Sequence, residues 1–313
     1  MTVPLALGAM NFGTTTDEAT SVALLDRFAE AGGTMIDTAN CYSFWNDPSG
    51  YGGQSEELLG RWFAARQGVR DRVVLSTKCG AEPTVAHGDW PSTREGLGAK
   101  AVPEALKASL KRMGVDRVEY YWSHMEDRRV PVEETVGAFG ALVEEGLAGK
   151  LGASNHTTWR VEQARGEAAR LGVAGYSALQ LLHSYVKPRP ESALASGHRF
   201  GWFTDETRDY AVAEGLEVWA YSPLLTGSYV RDDRPFPEAY DHPGTTRRLA
   251  ALATVAKDLG VSRNQVVLAW LTGAVEKVVP IVGVSSVEQL DEALAGAALE
   301  LSGEQRELLD AAV

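Results

Sequence analysis

With 313 residues, 44% hydrophobic and 23% charged, the chain has enough apolar material for one large core and a composition that excludes extensive disorder. A formal net charge of −12 opposes general attraction to nucleic acid or an anionic membrane, so the expected partner is a small molecule. Two cysteines, no basic residue before the short apolar run at the start, and no run of membrane-spanning length set the expectation of a reducing, cytoplasmic setting.

Taken in order, residues 5–8 read as a first strand, followed by a helix with Thr15 and Glu18 as a capping box, Val22, Leu25 and Phe28 on one face, and Gly32 and Gly33 as the stop. A second strand ends at Asp37, with Tyr42 five positions on, and a helix follows from near Ser55. The third strand runs into Lys78, and after a long polar loop Leu106, Leu110 and Met113 mark a helix that closes at Gly114. The fourth strand runs into His124, Pro131 opens its helix, and the fifth runs into Ser154 and Asn155. A sixth strand contains Gln180, a seventh spans 217–221, and an eighth spans 278–282. Between and after these last strands, Ser262 with Gln265, Ser286 with Gln289 and Ser302 with Gln305 each read as a capping box. Eight strand and helix alternations, with no Gly-x-Gly-x-x-Gly after the first strand, predict a single (β/α)8 TIM barrel over residues 1–313 with extra carboxyl-terminal helices.

Asp37, Tyr42, Lys78 and His124 therefore arise at the ends of successive strands, where such barrels carry their chemistry. Their types suit delivery of a proton to a carbonyl. A phenol is a poor acid near neutrality. An ammonium such as Lys78 would lower its pKa, Asp37 would hold that ammonium, and His124 would orient the carbonyl oxygen. Glu126 and Asp127 lie near His124 but lack tight metal-ligand spacing, so loop capping is the expectation and no metal is assigned. Cys41 and Cys79 adjoin the set and read as small buried thiols rather than a redox pair.

These motifs, with Ser55 to Gly60, Tyr121 to His124 and Ala220 to Leu224, resemble those of the aldo-keto reductase superfamily from about residue 5 to about residue 294. The resemblance implies an NAD(P)H-dependent oxidoreductase on a barrel without metal, reducing an aldehyde or ketone, a sugar or other ring-bearing carbonyl among them. It makes Tyr42 the general acid, Asp37 and Lys78 its tuning pair, and His124 the orienting group. It assigns Ser154, Asn155 and Gln180 to the carboxamide and Tyr221 to the nicotinamide ring. Ser222, Pro223, Leu224 and Gly227, with Ile281, Gly283, Ser285, Ser286, Gln289 and Glu292, would close over the pyrophosphate and adenosine.

The chain departs from the superfamily at Ser285, where an Arg or Lys often binds the 2′-phosphate, and at Ala293, where Asn is common. Ser286, Gln289 and the helix start still offer an anion site, so NADP(H) is expected over NAD(H). About four residues precede the first strand where relatives have a floor hairpin, which predicts a more open barrel floor. Phe44, Trp45, Trp90 and Trp202 are expected to wall a roomy substrate pocket. The rival expectation is a nucleotide-binding regulatory protein resembling channel β-subunits.

Overall fold

The computed structural model describes residues 3–190, 192 and 200–313. Eight parallel strands close into a barrel in chain order, β1 (Ala6–Gly8), β2 (Met35–Asp37), β3 (Val74–Cys79), β4 (Val118–Ser123), β5 (Ala148–Ser154), β6 (Tyr176–Leu182), β7 (Glu217–Tyr221) and β8 (Val278–Val282), with β8 pairing back to β1. The crossovers are α1 (Glu18–Glu30), α2 (Gln54–Ala65), α3 (Ala101–Met113), α4 (Val132–Glu144), α5 (Thr158–Leu171) and α6 (Asp205–Ala213). Two helices, α7 (Pro243–Leu259) and α8 (Arg263–Thr272), separate β7 from β8, and α9 (Val287–Ala297) and α10 (Gly303–Asp310) follow. The predicted barrel and its additional carboxyl-terminal helices are both present.

The barrel interior alternates small and large side chains. Ala6 and Ala178 make room for Tyr120, Trp122 and Trp219, which pack with Ile281 inside the ring of strands. The fit is tight enough to dictate a glycine: a Cβ on Gly152 of β5 would lie 2.0 Å from the Trp122 ring, closer than carbon atoms can approach. A larger apolar layer, including Leu24, Leu25, Phe28, Leu59 and Trp62, fills the space between strands and helices.

Helix ends follow the sequence where the side chains are right for it. Ser262 and Ser302 form complete capping boxes with Gln265 and Gln305, and Gly114 ends α3 with φ 64°, a left-handed conformation suited to glycine. Two expected caps differ. Asp17, not Thr15, caps α1, because its carboxylate accepts from Thr20 N at 2.8 Å. At α9 Ser286 accepts from Gln289 N, but the Gln289 side chain turns to Ser285 N and Oγ, so the box is only half made.

Among the described residues no strand precedes β1. At the amino-terminal ends of the strands Tyr120 donates to Glu217, and Lys150 donates to both, placing a polar cluster at the floor. No helix among the described residues is long and apolar enough to cross a membrane.

Candidate active site

Register brings the strand ends together. Asp37 pairs with Ser76 across β2 and β3, Lys78 with Trp122 across β3 and β4, and Ser154 with Gln180 across β5 and β6. Lys78 and Asp37 are both buried, their salt bridge 2.6 Å long. An ammonium has three donors and no acceptor. In Lys78 all three are committed: to Asp37 Oδ2 at 2.6 Å, to the Thr38 carbonyl at 2.7 Å and to the Tyr42 hydroxyl at 3.0 Å. Asp37 Oδ1 accepts from Ser76 Oγ at 2.8 Å and Gln180 Nε2 at 3.1 Å. The charge pair is thus satisfied on every side, which is what lets it exist in the interior.

Because Lys78 donates, the Tyr42 oxygen accepts, and the phenol's own proton is left to point elsewhere. The expected depression of the Tyr42 pKa is opposed by its surroundings. Burial, joined by the negative field of Asp37, holds the phenol well above its ordinary value. Burial also lowers the Lys78 pKa, against the pull of Asp37. Tyr42 is therefore a neutral, protonated phenol at physiological pH, held at its oxygen by Lys78 and not ionised by it.

His124 stands beside it, with ring centroids 5.7 Å apart and nearly perpendicular. Its Nδ1 lies 3.4 Å from Cys41 Sγ, and its carbonyl accepts from Asn155 Nδ2 at 3.0 Å. Asn155, at φ 58°, also accepts from the Tyr221 hydroxyl at 2.8 Å. Both cysteines are buried, and burial raises their thiol pKa values, the state of an inert thiol rather than a reactive thiolate.

A cavity of about 860 Å³ opens at this end of the barrel. Asp37, Tyr42 and His124 line it; Lys78 sits behind Tyr42. Phe44, Trp45 and Trp90 form one wall, with Phe44 and Trp45 centroids 5.1 Å apart and Phe44 and Trp90 5.7 Å apart. Ser154, Asn155, Gln180, Tyr221, Ser222, Pro223, Leu224, Gly227, Ile281, Gly283, Ser285, Gln289 and Glu292 line the remainder. Besides Lys78, two predicted residues do not. Trp202 packs on Tyr240, and its Nε1 donates to the Ser192 carbonyl at 3.2 Å, an anchor for its loop instead of a pocket wall. Ser286 spends its hydroxyl on capping α9.

Sequence reasoning missed Met10, Asn11 and Phe12, which enter the cavity from the β1 exit, and Arg231, Arg234 and Asn264. The β1 exit could have been found from topology alone, since every strand's carboxyl end faces the site. The arginines were masked by the acidic pair Asp232 and Asp233 between them. Glu126 and Asp127 turn to Arg128 and Arg129, as loop ion pairs.

Behind Cys41 lies an acidic residue with a measurable consequence. Burial, reinforced by the neighbouring Glu95 charge, raises the Glu82 carboxyl from 4.5 to about 7, and Glu82 Oε2 has no hydrogen-bond donor. The folded state keeps its proton where the unfolded chain has lost it, so this contribution to stability is complete below about pH 4.5 and is lost as pH rises through about 7. Glu82→Gln is expected to raise Tm by about 2 °C at pH 8 and to leave it unchanged at pH 4, by calorimetry across pH.

The Aldo/keto reductase family profile matches residues 4–313. An uncharacterised oxidoreductase, YrpG, of Bacillus subtilis (strain 168) is 31% identical over 98% of this chain and 90% of its own. Norsolorinic acid reductase A of Aspergillus parasiticus is 30% identical over 98% of this chain and 77% of its own. A probable voltage-gated potassium channel subunit beta of Oryza sativa subsp. japonica is 30% identical over 85% and 78%. With a matching profile over nearly its whole length and a closed eight-stranded barrel beneath it, the chain belongs to the aldo/keto reductase family.

Proposed function

We propose that this protein reduces the carbonyl of an apolar, ring-bearing aldehyde or ketone to the alcohol, using NADPH as the reductant and Tyr42 as the proton donor. The carrying observation is the triply committed Lys78 ammonium, which fixes the Tyr42 oxygen as acceptor and leaves the phenol proton for a group in the cavity. His124 is placed to orient the carbonyl oxygen, and the aromatic wall excludes water and favours flat apolar rings.

The residues present suit a nicotinamide dinucleotide. Asn264 Oδ1 is a buried acceptor without a donor on the cavity wall, as an exocyclic amine would require, and Glu292 lies on the same wall. Gly283 has open space where a Cβ would project, which lets backbone approach a ligand closely. Ser154, Asn155 and Gln180 present hydroxyl and amide groups for a carboxamide, and Tyr221 a ring face. When bound, the reduced nicotinamide supplies the hydride to the carbonyl carbon. Arg231 and Arg234 are cations on the cavity wall where Ser285 is neutral, and they favour the 2′-phosphorylated nucleotide.

Titration of nucleotide-stripped protein by tryptophan quenching is expected to give tighter binding of NADPH than NADH. Arg231→Ala with Arg234→Ala should weaken NADPH about tenfold, one charge-assisted contact, and NADH little. Equal affinities that the double variant leaves unchanged would contradict the preference. The likeness to a potassium-channel β subunit favours a second reading, in which bound nucleotide is itself the signal. Tight nucleotide retention with negligible turnover on a broad carbonyl panel would support it.

A further inference from the structure

The loop that carries Tyr42 is fastened on two sides. On one, Ser43 Oγ donates to the Met10 carbonyl at 2.6 Å. On the other, Asn40 Nδ2 donates to Glu95 Oε1 at 2.8 Å and Gly52 N to Glu82 Oε1 at 2.9 Å, while Gly53 N donates to the Tyr42 carbonyl at 3.0 Å. Glu95 Oε1 takes two more donors, Gly80 N at 2.6 Å and Glu82 N at 3.4 Å. One carboxylate oxygen thus gathers a side chain of the Tyr42 loop and two backbone groups just beyond β3.

Glu82 and Glu95 also form the base of a hairpin. Glu95 N donates to the Glu82 carbonyl at 2.9 Å, Thr84 N to the Thr93 carbonyl at 2.7 Å, and Pro83 bridges antiparallel to Arg94. The hairpin carries Trp90, whose Nε1 donates to the Ala81 carbonyl at 2.9 Å and whose ring lies 5.7 Å from Phe44. Asn40 is buried, two residues before Tyr42, and its backbone N–H donates to the Lys78 carbonyl at 3.2 Å. Its Oδ1 has no donor, so the bond from Nδ2 to Glu95 is what anchors that side chain in the interior.

We propose that Glu95 is a positioning residue for Tyr42: it holds Asn40, and through Asn40 the Tyr42 loop, in register with Lys78 and with the hairpin that carries Trp90. Its effect on turnover rests on the reductase reading above. Loss of the clamp leaves Asn40 Nδ2 and Gly80 N without their acceptor, and the loop relaxes at the residue that sets the contact between Tyr42 and Lys78. Small displacements at a proton donor are costly, since a shift of about 1 Å can cost a factor of about 10² in rate.

The test compares Glu95→Leu, Glu95→Gln and Asn40→Leu with the parent protein, reading kcat, KM, NADPH affinity by tryptophan quenching, and the variants' crystal structures. Glu95→Leu is expected to lower kcat about 30-fold while NADPH affinity changes less than about twofold. Glu95→Gln should recover most of kcat, because its amide oxygen can accept the same three donors. Asn40→Leu should show the same kind of loss as Glu95→Leu, and the two together should cost little more than Glu95→Leu alone, since the Asn40 bond is already gone when Glu95 is replaced. If Glu95→Leu does not fold, Asn40→Leu breaks the same bond from the other partner and is read in the same way. A Leu variant with parental kcat, or a loss that Gln fails to restore, overturns the proposal. If the parent turns over no carbonyl, the reductase reading fails on its own account. The crystal structures then decide: Tyr42 displaced from Lys78 Nζ supports the clamp, and an unchanged contact of 3.0 Å overturns it.

Discussion

Tyr42→Phe is expected to lower kcat for carbonyl reduction by about 10³ while nucleotide affinity stays within about twofold of the parent. The substitution removes one oxygen and keeps the ring that packs near Trp45 and His124. What is lost is the proton and the acceptor for the third Lys78 donor. Since burial holds the Tyr42 pKa above its ordinary value of 10, kcat of the parent should be flat from pH 6 to 9, with no loss from phenol ionisation in that range. Steady-state kinetics over pH check both statements. A Phe variant retaining parental kcat removes Tyr42 from the proton-donor role.

The second large effect is on stability. Lys78→Met leaves the Asp37 carboxylate buried without its cation, and Asp37→Asn leaves the Lys78 charge without its anion. Each single change is expected to cost about 3–5 kcal/mol, the range found when one partner of a buried pair is removed. The double variant Asp37→Asn with Lys78→Met should recover much of that loss, because no uncompensated charge remains and the Asn oxygen can still accept from Ser76 and Gln180. Chemical denaturation of the four proteins measures the cycle. Additive losses would mean that the pair does not stabilise itself in this setting, and that its surroundings carry the charges separately.

Elements with strong periodicity and clear stops were legible from the chain alone. The strand over 217–221, the strand over 278–282 and the close of α3 at Gly114 appear where alternation and glycine placed them. So was the gathering of Asp37, Tyr42, Lys78 and His124 at one end of the barrel, because the barrel's order puts one strand end after another around a single opening. What escaped depended on packing between loops distant in sequence. Trp202 has the composition of a pocket residue, yet Tyr240 and the Ser192 carbonyl claim it. Asn40 and Glu95 carry no motif, and their contact spans 55 positions. The Tyr42 pKa illustrates a different failure: the sequence pointed to the ammonium and a lowered value, whereas the largest cause is burial, which raises it and is a property of the fold.

The central claim is hydride transfer to a carbonyl with Tyr42 as the acid, and its most direct measurement uses NADPH deuterated at the transferring position. The parent protein and Tyr42→Phe would be incubated with aromatic and alicyclic aldehydes and ketones, and the alcohols analysed by mass spectrometry. The account predicts alcohol carrying one deuterium at the former carbonyl carbon from the parent, formed about 10³ times more slowly by Tyr42→Phe. Bound nucleotide with no deuterated alcohol from any carbonyl, or equal rates from the two proteins, would contradict it.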